Sequence, residues 1–149
     1  MDTPIEFIED NARENAHLRL FVESLSDEEL CLPMEAGWTV AAVLAHLAFW
    51  DQRAVTLIDK WKKEGVGPSA IDTDVVNEAT RSLCLAIAPR QAAELAVALA
   101  DEVDRLIADL APEMVEAIQA RGTTLKLRRA DHRLSHLGEM EKALASRKK

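Results

Sequence analysis

The stretch GWTVAAVLAHLAFWD, Gly37 to Asp51, reads as the start of an amphipathic helix. Thr39 has the hydroxyl that a helix N-terminus uses as a cap. From Val40 the apolar residues recur at helical spacing: Val43, Leu44, Leu47, Trp50, Ala54, Leu57, Ile58 and Trp61 share one broad face as far as about Lys63. Gly65, Gly67 and Pro68 end the pattern and mark a loop expected to move. One residue on that face is not apolar. His46 has two readings at this point: a buried polar residue bonded to a backbone carbonyl, or one ligand of a larger site.

Working outward, the same periodicity recurs through the chain. A first helix is expected from Thr3, as N-cap with Pro4 at the first helical position, to about Ser24. Its buried side reads as Ile5, Ile8, Ala12, Ala16, Leu20 and Phe21. Ser26 to Glu29 has capping-box spacing and suggests one short turn before Pro33. A third helical stretch runs from about Asp72 to Ala88, capped by Asp72 or Thr73. Pro89 then leaves two options open, a kink or a fresh helix. Helix resumes to about Leu110 and breaks at Ala111-Pro112; a short piece covers Glu113 to Ala120, and Gly122 ends it. The last helix is expected from about Lys126 to Ser146, followed by a basic tail. No segment alternates with period two. Four principal helices joined by loops make the fold class all-α, a four-helix bundle occupying residues 1–149 as one domain.

Composition narrows the function. The 149 residues carry a net charge of −8, which argues against nucleic acid as a partner. From Arg121 to the C-terminus, however, nine Lys/Arg face three Asp/Glu. Either a basic last helix packs against acidic neighbours, which is the reading favoured here, or it meets an anionic ligand. Cys31 and Cys84 form no CxxC pair and are expected to be reduced thiols of a cytoplasmic protein. The N-terminus has no secretory pattern, and no apolar run approaches the roughly 20 residues that cross a bilayer.

Three further histidines complete the set: His17, His132 and His136. In RRADHRLSHLGEMEKAL, His132 and His136 stand four residues apart on a helix, about 40° apart around its axis and one turn above one another. That spacing suits two imidazoles on one metal ion. The pair lies at the edge of the stripe formed by Ala130, Leu134, Leu137, Met140 and Leu144. An isolated pair of this kind is weak evidence, as is a lone inward histidine. Together they make a three-imidazole site, His46, His132 and His136, provided that the second and last helices are neighbours. His17 lies beside Arg13 and Glu14 and reads as a surface residue.

With GWTVAAVLAHLAFWDQRA, DTDVVNEATR and DHRLSHLGEMEKAL in view, the chain resembles the DinB/YfiT-like superfamily of four-helix-bundle metalloproteins over nearly its whole length. That superfamily includes the N-terminal domain of mycothiol-dependent maleylpyruvate isomerases. The resemblance implies that His46, His132 and His136 bind a divalent metal ion, zinc or nickel. It also implies a structural or supporting role for Asn77, a low-molecular-weight thiol as cosubstrate, and a homodimer. The chain lacks the additional C-terminal domain of the isomerases, so their particular reaction is not implied.

Three neutral nitrogen ligands leave a divalent ion its full charge, which deprotonates a bound thiol or lowers the pKa of water. One reading is therefore a thiol S-transferase acting on a small electrophilic substrate, with Lys126, Arg128, Arg129 and Arg133 as candidate contacts for carboxylates of the cosubstrate or simply as a solvated face. A second is a metal-dependent hydrolase with Glu139 or Asp51 as general base. Asp51 fits a surface salt bridge or a hydrogen bond outside the site better, and Glu139 fits a partner that orients His136. A third is a non-catalytic bundle that binds a small molecule or dimerises. Trp38, Trp50 and Trp61 read as core or interface rather than as a ligand cage.

Overall fold

A computed structural model describes residues 3–147. Seven α-helices follow in order: α1 (Pro4–Ser24), α2 (Asp27–Leu30), α3 (Val40–Glu64), α4 (Thr73–Ala86), α5 (Pro89–Ala108), α6 (Pro112–Ala120) and α7 (Ala130–Arg147). Local chemistry places most of their starts. Thr3 and Ser26 each build a full capping box, with Glu6 and Glu29 returning a carboxylate to the cap amide. Thr39 accepts from the Ala42 amide at 3.1 Å, and Asp72 caps α4 through the Val75 amide at 3.2 Å. Pro89 occupies the first turn of α5, so the chain starts a fresh helix there instead of kinking.

The long helices α1, α3, α5 and α7 form the four-helix bundle. Each of α5 and α7 packs against both α1 and α3, so the latter two are diagonal to each other, and α4 lies on the outside of α3. The apolar core falls into two halves along the bundle. One gathers Leu18 and Phe21 of α1, Val40 to Leu47 of α3, Ala92 to Ala100 of α5, and Leu137 and Met140 of α7. The other gathers Phe7, Leu57, Ile58, Trp61, Val103, Ile107, Leu125 and Leu127.

Between these halves runs a layer of buried polar groups: Asn11, Glu14, Asp51, Arg129 and Arg133. Arg133 is only 1% exposed and ties all four long helices together. Its guanidinium grips Asp104 of α5 through two bonds of 2.7 and 2.9 Å, donates to the Asn11 carbonyl of α1 at 3.1 Å, and lies 3.5 Å from Asp51 of α3. Asp51 also accepts from Arg129 at 3.0 Å. Burial pushes the Asp51 carboxyl up, against the pull of the two guanidiniums.

This layer accounts for two departures from the sequence reading. The buried side of α1 is Phe7, Asn11, Glu14, Leu18, Phe21 and Val22, while Ile5, Ala12, Ala16 and Leu20 face outward. The helix is rotated because Asn11 and Glu14 face inward. The last helix begins at Ala130 instead of Lys126. Leu125 is extended and Leu127 is also buried, so the segment sinks alternate side chains into the core. The Asn11 amide then accepts from the Ala130 amide at 2.9 Å and donates to the Leu127 carbonyl at 2.9 Å. A residue more than a hundred positions away thus caps α7. The Lys148-Lys149 part of the expected basic tail lies outside the described residues. Among the described residues, no helix is long and apolar enough to cross a membrane.

Candidate metal centre

The turn that leads into α3 sets the first wall of the site. Gly37 has φ +82°, and a Cβ there would stand 2.7 Å from Arg81, which donates to the Ala36 carbonyl at 2.9 Å. Only glycine fits both constraints. The turn closes with Met34 donating to the Trp38 carbonyl at 2.8 Å, which leaves the Trp38 ring edge-on to His46 at 5.6 Å. One turn further along α3, Trp50 packs on the other side of His46 at 6.5 Å and donates its indole N–H to Asn77 at 2.9 Å. Asn77 therefore supports the pocket wall through Trp50. Trp61 is core, 3% exposed. Two of the three tryptophans line the site, contrary to the sequence reading; their signal was their position flanking His46.

The structure brings His46, His132 and His136 together. The Nε2 atoms of His46 and His132 are 3.2 Å apart, and those of His132 and His136 are 3.1 Å apart. Nitrogens sharing one zinc ion at 2.0–2.1 Å in a tetrahedron stand about 3.3 Å apart. Three ring nitrogens converging on one another, with at most one hydrogen for each contact, make a donor set short of a shared cation. Burial holds all three rings neutral at physiological pH. It lowers the pKa of His46 to about 4 and that of His132 to about 2, helped by the neighbouring imidazoles and, at His132, by Arg129 and Arg133; His136 is lowered as well. Neutral imidazole is the form that ligates. The donor set fits a divalent ion.

Glu139 stands 3.6 Å from Nδ1 of His136, just beyond hydrogen-bond length, and its charge opposes the lowering of that ring's pKa. This is where a partner that orients a ligating histidine belongs. His17 is not part of the triad; it bridges Glu14 at 2.9 Å and Glu141 at 3.0 Å, joining α1 to α7.

The triad opens into a pocket of about 1100 Å³, walled by Trp38, Trp50, Arg53, Thr124, Lys126 and Lys142 among others. Of the four basic residues weighed as carboxylate contacts or as a solvated face, three have acidic partners. Arg129 and Arg133 are buried in the polar layer, and Arg128 pairs with Asp10 at 2.9 Å and Asp131 at 3.2 Å. The basic C-terminal region thus does pack against acidic neighbours. Asp51 is 3% exposed between two arginines, so it is neither a surface ion pair nor a base facing the pocket.

Residues 11–140 match the model of a family described as the DinB superfamily. No curated protein and no solved structure matches the chain significantly.

Proposed function

The chain belongs to the DinB superfamily, and from that premise we propose that it holds a divalent metal ion and transfers a low-molecular-weight thiol to a small electrophile. The observation that carries this reading is the meeting of three neutral imidazoles, one buried and two half-buried, from two distant segments at one edge of a large pocket. His46, His132 and His136 would hold the ion. Nitrogen donors of this kind suit zinc or nickel. Such an ion supplies, when bound, a thiolate at neutral pH from a thiol that would otherwise be mostly protonated.

The chain's own groups do the rest. Trp38 and Trp50 crowd the triad from two sides and keep water from His46. Glu139 is placed to accept the Nδ1–H of His136, which leaves Nε2 as the ligating atom. The Arg133 and Asn11 contacts fix where α7 begins, and so where His132 and His136 point. In the transfer the thiol gives up its proton to water, its sulfur forms a bond to the electrophilic carbon, and the bond from that carbon to the leaving group breaks with its electron pair departing on the leaving group.

The test is a metal analysis of the purified protein followed by a thiol assay. Near one equivalent of zinc or nickel is expected in the parent protein, and much less in His132→Ala, whose melting temperature changes little because the apolar faces hold the bundle. Incubation with thiols and an electrophilic dye should consume thiol faster than a chelator-stripped control does. Equal rates with and without metal would refute the transferase; equal metal content in the parent protein and in His132→Ala would refute the site.

A further inference from the structure

Arg53 is the residue of the pocket that the function above leaves unused. It lies seven residues beyond His46 on the same face of α3, roughly 10 Å along the helix axis. Trp50 sits between them, with the Arg53 guanidinium 6.0 Å from its ring centre. The guanidinium is half-buried. Its partners are uncharged: the Thr124 carbonyl at 3.2 Å, the Ser69 carbonyl at 3.2 Å and the Ser69 hydroxyl at 3.1 Å. Among the described residues no carboxylate pairs with it, whereas Arg128, Arg129 and Arg133 all have acidic partners.

The wall around Arg53 adds to its charge. Lys126, two residues from Thr124, is exposed and lines the pocket, with no ion-pair partner among the described residues. Burial, with the nearby charge of Arg129, lowers the Arg53 pKa. A half-buried guanidinium with donors to spare binds a carboxylate strongly, since charge-assisted bonds in a shielded site are about twice as strong as neutral ones.

We infer that Arg53 and Lys126 receive a carboxylate, so that the molecule taken by the histidine triad is an acid whose anionic group lies past Trp50 from its reacting end, about two turns of α3 further along. This rests on the proposed function for what sits at the triad, and on the pocket wall alone for the anion. The loop bonds of Arg53 to Ser69 and Thr124 hold it in place for this role, so the residue is a specificity determinant for the acid.

The test uses the metal-loaded protein, cobalt-substituted, titrated with 8-mercaptooctanoate and with 8-mercaptooctanamide. Two signals are read together. A thiolate-to-cobalt absorption band reports the thiol end, and quenching of Trp38 and Trp50 fluorescence reports occupancy of the pocket. The acid is expected to bind at least about tenfold more tightly than the amide. That ratio should fall to near one in Arg53→Gln and stay mostly intact in Arg53→Lys, which keeps the charge. A ratio near one in the parent protein, an unchanged ratio in Arg53→Gln, or no quenching by either compound overturns the inference. Absence of the cobalt band with an Arg53-dependent ratio still present would instead refute the thiol reading and leave the anion site standing.

Discussion

Replacing Arg133 by Met tests whether the buried polar layer is a structural clamp. The side chain is 1% exposed and carries the paired bonds to Asp104, the bond to the Asn11 carbonyl and the longer approaches to Asp51 and Ala100. Truncating one partner of a buried ion pair costs about 3–5 kcal/mol, mostly because the other charge is left unpaired. Here each carboxylate retains one partner: Asp51 keeps Arg129 at 3.0 Å, and Asp104 keeps Asn15 at 3.0 Å. Asp104 is also partly open to water, at 17% side-chain exposure. The cost therefore belongs at the lower end, about 3 kcal/mol. For a chain of this size each kcal/mol lowers the melting temperature by about 2–4 °C, so a fall of roughly 6–12 °C is expected. Removing the second charge as well, in Arg133→Met with Asp104→Leu, should recover part of that loss, because the Asp104 carboxylate is then no longer left beside an apolar side chain while Asp51 keeps Arg129. Thermal and urea melts of the three proteins provide the measurement. A single-variant loss under about 1 kcal/mol, or a double variant no more stable than the single, would show that water already solvates the layer and that the clamp does not hold the helices.

Two further outcomes follow from contacts around the site. Glu139→Ala should weaken metal binding by about 10–100-fold, with the fold unchanged, as loss of a partner to a ligating histidine does; unaltered affinity in a chelator competition would show that Glu139 does not act on His136. His17 is held above its ordinary pKa by the hydrogen bond to Glu14 and the charge of Glu141, against partial burial. A raised folded pKa means stability that is present below about pH 6.5 and lost as pH rises through the folded value. The melting-temperature advantage of the parent protein over His17→Gln should therefore be largest near pH 6 and shrink by pH 8.5. The triad is the same in both proteins, so their difference isolates His17; a difference that stays constant over this range contradicts the ion pair.

The helices were legible because their signals are local. Thr3, Ser26, Thr39 and Asp72 each cap with their own side chain, and the run from Val40 to Trp61 repeats at the helical period. The one-turn spacing of His132 and His136 needs only helical geometry, and the inward placement of His46 needs only the apolar pattern around it. Bundle geometry joined these two observations into one site, and the resemblance to the superfamily agreed with it.

What could not be read were the places where a polar side chain is stabilised by a partner far away in sequence. In the sequence Glu14 reads only as a polar neighbour of a surface histidine, Arg129 and Arg133 as carboxylate contacts or a solvated face, and Asp51 as a residue bonded outside the site. Each is buried because another helix supplies the opposite charge or the missing hydrogen bond. The start of α7 shifted for the same reason, since its cap comes from α1. Arg53 was passed over because its significance lies in what it lacks, a carboxylate partner, and that shows only when every neighbour is in place. Hydrophobic periodicity and capping act within a few residues and are written in the chain. Burial of charge depends on pairing across the bundle, so only the packed helices decide which polar residues lie inside and which of them remain free to meet a ligand.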